Sequence, residues 1–177
     1  MTHSLQIVGT SYRLDQIDIA SYRGNPKSVF VMGYSAGAYN AAMVALDLKY
    51  ARRAGIVGQP FRGLIGLAGP YDFLPFEVKE TQEAFGRWPK PNETQPSLVA
   101  DKYVLPALLL AGADDETVLP RNTRRLSATL RRLGAEVDER IYEGIGHAAI
   151  LTSIARPLRG HAPVLDDVIR FIRSRSV

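Results

Sequence analysis

Residues 28–46 read SVFVMGYSAGAYNAAMVAL, an apolar run joined to a helix-prone run through the pattern G-x-S-x-G. The pattern spans Gly33 to Gly37 and has Ser35 at its centre. A buried strand, a glycine-flanked serine and then a helix make up the setting of a nucleophile elbow. Because the turn brings neighbouring backbones close together, we expect a side chain at either glycine to clash and Ser35 to be strained. The stretch therefore predicts an exposed serine at the end of a sheet strand.

Apolar and helix-prone segments alternate along the rest of the chain, which predicts an α/β fold with a mainly parallel sheet. The predicted strands cover residues 28–32, 63–68, 107–111 and 136–142. The predicted helices cover residues 36 to about 53, about 121 to 133, and about 164 to 173. The first three strands are near-continuous apolar runs, as expected for strands covered by helices on both faces.

A length of 177 residues fits one domain, and we interpret residues 1–177 as a single shortened domain with a cap-like insertion at 70–104. The insertion is rich in proline and aromatic residues, and we expect it to form one wall of a pocket, the alternative being that it covers a sheet edge. Its Trp88 could touch substrate, but we predict a buried structural residue.

The composition argues against several classes of partner. Cysteine is absent, no apolar run approaches the roughly 18 residues of a membrane span, and the first residues lack a signal-peptide pattern. We therefore predict a soluble cytoplasmic protein that does not bind a membrane. The net charge is +4, but the arginines at 121–132 and 170–175 alternate with apolar residues at helical spacing. They predict solvated faces of amphipathic helices, with no nucleic-acid partner.

A serine nucleophile needs a base and an acid that orients the base. The acid precedes the histidine in α/β-hydrolase chains, and this chain offers both in that order. Asp114 and Asp115 follow an apolar strand, and His147 follows the last strand on a glycine-bearing loop. The carboxyl ends of parallel strands, where open α/β sheets place their sites, would bring these side chains to Ser35.

Four motifs resemble those of the α/β-hydrolase superfamily, in particular its carboxylesterase and arylformamidase-like group: GYSAGAYN at 33–40, GLAGPYD at 66–72, GADDETV at 112–118 and GIGH at 144–147. The resemblance covers residues 25–177, the carboxyl-terminal part of such a hydrolase. It implies that Ser35 is the nucleophile, His147 the base and Asp115 the acid. It also implies that the backbone N–H of Ala36 is one oxyanion donor.

Other assignments stay open from the sequence. Asp114 is the nearest rival acid, Asp72 could serve in a rearranged triad, and Asp115 could instead cap a following helix. The rival bases are His3 and His161.

The sequence also departs from the group it resembles. Only 34 residues precede Ser35, and they contain no His-Gly-Gly type loop, which in the group supplies further oxyanion donors. The elbow strand would then be an apolar sheet edge, and we expect residues 5–9 to form a replacement strand or a second copy to pair there as a homodimer.

Two functions of different class follow. In the first, the chain cleaves small carboxylic esters through a Ser-His-Asp triad and an acyl-enzyme, without a metal or organic cofactor, with an arylformamidase-type amide hydrolase as the alternative. In the second, it is a truncated hydrolase scaffold with little turnover that acts as a binding or self-associating module.

Overall fold

The computed structural model describes residues 24–25, 27–53, 55, 58–59, 61–101 and 104–176. Within them the strands are β1 (Phe30–Tyr34), β2 (Gly63–Leu67), β3 (Ala107–Gly112) and β4 (Val137–Tyr142). The α-helices are α1 (Ala36–Leu46), α2 (Leu48–Arg53), α3 (Lys79–Phe85), α4 (Pro96–Val99), α5 (Arg121–Arg132), α6 (His147–Thr152) and α7 (Val164–Arg175). Short 3-10 helices cover Pro91–Thr94 and Arg156–Leu158.

The four strands form one sheet in the order β1-β2-β3-β4, and every neighbouring pair is parallel. All their carboxyl ends therefore meet at one edge of the sheet. The predicted α/β fold with a parallel sheet is confirmed, and the four strands lie within two residues of their predicted bounds.

The core lies on both faces of this sheet because successive strand residues point to opposite sides. Leu64 and Leu109 pack on one side, with four buried alanines of α1 and two leucines of α5. Ile65 and Leu108 pack on the other side, with residues of α6 and α7. Burying each of these leucine side chains stabilises the fold by about 2 kcal/mol, and the small alanines let α1 lie close to the sheet.

The predicted helix at 36–53 is in fact two helices. Asp47 ends α1 with an extended backbone, φ −106° and ψ 92°, and its side chain accepts a hydrogen bond from the Lys49 N–H at 3.1 Å. An aspartate that satisfies a backbone donor two residues ahead favours a helix start, which is why a new helix begins at Leu48.

The two outer strands of the described sheet differ in the polarity of the residues they carry. The edge strand β4 carries Asp138, Glu139 and Arg140, charges of the kind that keep an edge from pairing with another chain. The apolar strand β1 pairs with β2 alone among the described residues, and Met32 at its middle is 44% exposed. The predicted strand at 5–9 lies outside the described residues, and the homodimer through this edge stays a prediction.

The arginines of α5 lie on the surface as expected, but one arginine of α7 does not. Arg175 is half-buried, its guanidinium carbon is 4.2 Å from the centre of the Phe171 ring, and it pairs with Glu136 at 3.3 Å and Asp138 at 3.5 Å. The prediction of a fully solvated face is therefore wrong at this position, because Arg175 ties the end of α7 to the start of β4. No helix among the described residues is long and apolar enough to cross a bilayer.

Candidate active site

Ser35 lies on the sharp turn between β1 and α1. Its backbone has φ 52° and ψ −123°, a left-handed conformation that costs a residue with a side chain about 1–3 kcal/mol. The Ser35 N–H donates to the carbonyl of Leu67 at 2.9 Å, which ties the turn to the end of β2. The strained turn is held by its neighbours, as expected of a nucleophile elbow.

The two glycines of the pattern have different roles. A Cβ atom at Gly33 would collide with the backbone of Gly37 and Ala38, so the close approach of β1 to the start of α1 requires a glycine there. A Cβ atom at Gly37 would meet no atom within 4 Å. The prediction of a clash is therefore wrong for Gly37. The close approach is between Gly33 and the backbone of Gly37, so only Gly33 must lack a side chain.

Ser35, His147 and Asp115 form a continuous chain of hydrogen bonds. The Nε2 atom of His147 lies 2.9 Å from the Ser35 Oγ, and its Nδ1 atom lies 2.7 Å from the Asp115 Oδ2. The second carboxylate oxygen of Asp115 accepts the N–H groups of Thr117 at 3.0 Å and Val118 at 2.7 Å. Asp115 is only 1% exposed, so every polar contact it makes is directional and shielded from water.

The carboxylate of Asp115 leaves one tautomer for His147. Since both oxygens of an ionised carboxylate only accept hydrogen bonds, Nδ1 carries a proton, and in the neutral imidazole Nε2 then presents its lone pair to Ser35. This is the arrangement in which the imidazole can take the serine proton.

His147 is the first residue of α6, where the sequence predicted only a glycine-bearing loop. The preceding loop lies directly on the end of β3. A Cβ atom at Gly112 would collide with the carbonyl of Ile145, and that carbonyl accepts the Asp114 N–H at 3.1 Å. This docking brings the loop after β4 back over the sheet toward β1.

The rival residues lie elsewhere or have other roles. The exposed Asp114 is bound to this loop only through its backbone N–H among the described contacts, and Asp72 pairs with Arg125 at 3.4 Å. Asp115 does not cap α5, because its Oδ1 accepts the N–H groups of Thr117 and Val118, which lie in a turn before that helix. His161 is exposed, and His3 lies outside the described residues.

Ala36 directly follows Ser35 and occupies the first position of α1. Its N–H has no partner inside the helix, because the first N–H groups of any helix lack one, and the positive end of the helix dipole favours a negative charge there. The group can therefore donate to an oxyanion formed on a carbonyl attacked by Ser35.

Comparison with known proteins gives a family for this chain. The model of the prolyl oligopeptidase family matches residues 16–173. The chain belongs to this family. The family is one of hydrolases with the α/β-hydrolase fold, which confirms the resemblance to that superfamily.

The curated relatives are esterases by name. A probable isoprenylcysteine alpha-carbonyl methylesterase of Arabidopsis thaliana is 26% identical over 87% of this chain and 37% of its own length. A probable isoprenylcysteine alpha-carbonyl methylesterase of Oryza sativa subsp. japonica is 27% identical over 88% of this chain and 42% of its own length. The chain thus spans about two fifths of the length of these relatives.

Solved esterase structures share the fold. A truncated carbohydrate esterase from gut microbiota has a TM-score of 0.77 at 17% identity, covering 97% of this chain and 68% of that one. The esterase of Thermogutta terrifontis, from the Planctomycetes, has a TM-score of 0.75 at 16% identity, covering 97% of this chain and 64% of that one.

The insertion after β2 contributes three aromatic rings to a cluster whose fourth ring, Tyr39, lies on α1. We call Tyr39, Phe73, Phe76 and Phe85 the aromatic cluster; the centres of their contacting rings are 5.6–6.0 Å apart. Tyr39 lies one helical turn after Ser35, and burial raises its pKa. Trp88 is 44% exposed, so the prediction of a buried structural tryptophan is wrong.

Two buried amides that sequence reasoning missed hold this insertion. The Asn122 Oδ1 accepts the N–H groups of Tyr71 at 3.1 Å and Asp72 at 2.9 Å, and the Gln95 Oε1 accepts the Phe73 N–H at 2.7 Å. Asn122 lies 51 residues after Tyr71 in the chain, so no local sequence pattern predicts these contacts.

Tyr34 was also missed, although it stands inside the G-x-S-x-G pattern. Its ring centre lies 5.0 Å from that of His147, and burial and the charge of Asp115 raise its pKa. Within the described part of the chain, no cluster of three or more histidine, aspartate or glutamate residues could hold a metal ion.

Proposed function

We propose that this chain is a serine hydrolase that cleaves small carboxylic esters, with Ser35 as nucleophile, His147 as general base and Asp115 as the acid that orients the base. The observation that carries the proposal is the unbroken hydrogen-bond chain, 2.9 Å from Ser35 to His147 and 2.7 Å from His147 to Asp115. Family membership and the names of the curated relatives support ester hydrolysis as the reaction class.

The reaction proceeds in two halves. In the first, His147 Nε2 takes the Ser35 hydroxyl proton while Oγ attacks the ester carbonyl carbon; the proton then passes to the departing alcohol, leaving an acyl-serine. In the second, His147 takes a proton from water, the hydroxide displaces Ser35 from the acyl carbon, and the serine regains its proton as the carboxylic acid leaves. The Ala36 N–H stabilises the oxyanion of both tetrahedral intermediates, and one such donor contributes about 3 kcal/mol.

The aromatic cluster supports a substrate with one apolar group. Side chains of an α-helix lean toward its amino terminus, so the Tyr39 ring leans toward Ser35. We propose that the cluster forms the wall against which the acyl or alcohol group of the ester lies. An apolar alcohol or acid portion also agrees with the isoprenylcysteine methyl ester in the names of the curated relatives.

The test is labelling of the purified chain with a fluorophosphonate, which phosphonylates only an activated serine. Wild type, Ser35→Ala and the control Ser176→Ala, an exposed serine after α7, are compared by intact mass and peptide mapping. We expect stoichiometric labelling at Ser35 in wild type and in Ser176→Ala, and none in Ser35→Ala. Folded wild type that takes no label would overturn the proposal and favour the non-catalytic scaffold.

Substrate class is then read from turnover of p-nitrophenyl acetate, butyrate and octanoate, with formanilide as the amide comparator. We expect ester turnover to exceed amide turnover, and Phe73→Ala to lower kcat/KM for the longer acyl chains more than for acetate. Faster cleavage of formanilide than of the esters would favour the arylformamidase alternative. An equal loss for all three esters would show that the aromatic cluster does not contact the acyl group.

A further inference from the structure

The base and the nucleophile come from opposite edges of the described sheet. Ser35 follows β1, His147 follows β4, and β2 and β3 lie between them. Three strand spacings of about 4.8 Å separate β1 from β4 by about 14 Å. The segment after β4 must therefore cross most of the sheet before His147 can reach Ser35.

The segment that makes this crossing is anchored in the core on either side of His147, through the buried Ile145 and Ile150. Gly144 and Gly146 flank Ile145, and Gly144 has a φ of 70°. The short helix α6 begins at His147, and no side chain caps its amino terminus. The contacts of the preceding loop with the end of β3 fix Ile145, two residues before His147. They do not themselves hold the imidazole above β1, so other groups determine its position there.

Tyr34 supplies contacts at that position. Its hydroxyl donates to the backbone carbonyl of His147 at 3.2 Å, and its ring centre lies 5.0 Å from the imidazole centre with 37° between the planes. Tyr34 directly precedes Ser35, and its side chain packs against the core cluster that includes Ile145 and Ile150. One side chain on the nucleophile strand thus touches both the backbone and the ring of the base.

We propose that Tyr34 is a positioning residue that holds His147 over β1 through its hydroxyl and its ring, so that Nε2 stays within hydrogen-bond distance of the Ser35 Oγ. The inference rests on the proposed serine hydrolase function. Because Tyr34 is the last residue of β1 and directly precedes Ser35, the support of the base is joined to the elbow by one peptide bond. Tyr34 itself transfers no proton.

The test uses two variants that remove the contacts of Tyr34 in steps. Tyr34→Phe removes only the hydroxyl, and Tyr34→Leu removes the hydroxyl and the ring. Tyr142→Phe is the matched control, because the Tyr142 hydroxyl donates to Asp167 Oδ2 on α7 at 2.7 Å and none of the described hydrogen bonds of that hydroxyl involves the triad. We measure kcat and KM for p-nitrophenyl acetate, the rate of fluorophosphonate labelling, and the proton resonance of the His147 Nδ1–H.

Loss of one neutral hydrogen bond predicts a kcat about 2- to 10-fold lower for Tyr34→Phe. A displacement of the base by about 1 Å predicts a kcat about 100-fold lower for Tyr34→Leu. KM is expected to stay within twofold for both, because the substrate contacts are unchanged. Tyr142→Phe should retain wild-type kcat, and the His147 Nδ1–H resonance should broaden or disappear in Tyr34→Leu alone.

The outcomes separate this inference from the proposed function. Wild-type kcat and an unchanged His147 resonance in Tyr34→Leu would overturn the positioning role. An equal loss of kcat in Tyr142→Phe would also overturn it, because the effect would then follow from general loosening of the fold. If wild type has no turnover, the proposed function fails, but the His147 resonance in the Tyr34 variants still decides whether Tyr34 holds the imidazole.

Discussion

Replacing Asp115 with asparagine changes the tautomer of His147 while leaving the turn around residue 115 intact. The Asp115 Oδ1 accepts two backbone N–H groups, from Thr117 and Val118, and the Oδ2 faces His147 Nδ1. In Asp115→Asn the amide oxygen keeps the two N–H groups, because the opposite orientation would place the amide NH₂ against two donors. The NH₂ then faces Nδ1, which must become an acceptor, so the imidazole proton moves to Nε2 and faces Ser35.

An imidazole with its proton on Nε2 cannot take the serine proton. We expect kcat for p-nitrophenyl acetate to fall by about 10⁴, or about 5 kcal/mol of transition-state stabilisation, while the free energy of unfolding changes little. The assay compares wild type, Asp115→Asn and Asp114→Asn, the exposed neighbouring carboxylate, by steady-state kinetics and urea unfolding. Asp114→Asn should stay within twofold of wild type. An Asp115→Asn variant that keeps more than a tenth of wild-type kcat would refute the tautomer argument.

Three further predictions concern stability, each measured as the free energy of unfolding in urea. Asn122→Leu should lower the free energy of unfolding by about 2 kcal/mol or more, because two backbone N–H groups after β2 lose their acceptor. An unchanged free energy of unfolding would contradict this role of Asn122. The free energy of unfolding of Ser35→Gly should exceed that of Ser35→Ala by about 1 kcal/mol, since glycine tolerates a φ of 52°. Equal free energies for the two variants would show that the turn is unstrained. Burial and Asp167 raise the pKa of Tyr142, so the protonated phenol favours the fold. That contribution is complete below about pH 10, the pKa of an unfolded tyrosine, and is lost as pH rises toward the folded-state pKa. The free energy of unfolding of Tyr142→Phe should therefore fall less steeply with rising alkaline pH than that of wild type. An equally steep fall in the variant would refute the contribution of the Tyr142 phenol.

The repeating features of the fold were predictable because they are local. Apolar runs of five or six residues indicated β2 and β3, which are buried at every position. Gly134, directly after the C-cap Leu133 of α5, is an equally local signal: its φ is 91°, its N–H donates to the Arg131 carbonyl, and the Ala135 N–H donates to the Leu130 carbonyl. Such signals depend on neighbours in the chain, so a single sequence contains them.

The supports of the candidate site were not predictable in the same way. Asn122 acts on backbone groups about 50 residues earlier, and Tyr34 contacts a carbonyl 113 residues later. Trp88 was misjudged because its exposure depends on how the insertion packs after β2. The helix that begins at His147 was missed because six residues are too few for a periodic pattern.

The strand order explains why these distant contacts gather around the histidine. In a sheet ordered β1-β2-β3-β4, the proposed acid Asp115 follows β3, the neighbour of the strand that precedes His147, whereas Ser35 follows β1 at the far edge of the described sheet. The Asp115 contact therefore needs only one strand spacing, but the Ser35 contact needs three, about 14 Å. Gly112 shortens that path by letting the Ile145 carbonyl rest on the end of β3, where any side chain would lift the loop away from the sheet. The residues that decide whether the base reaches the nucleophile are consequently those along this path, at Gly112 and Tyr34, rather than further acid or base groups.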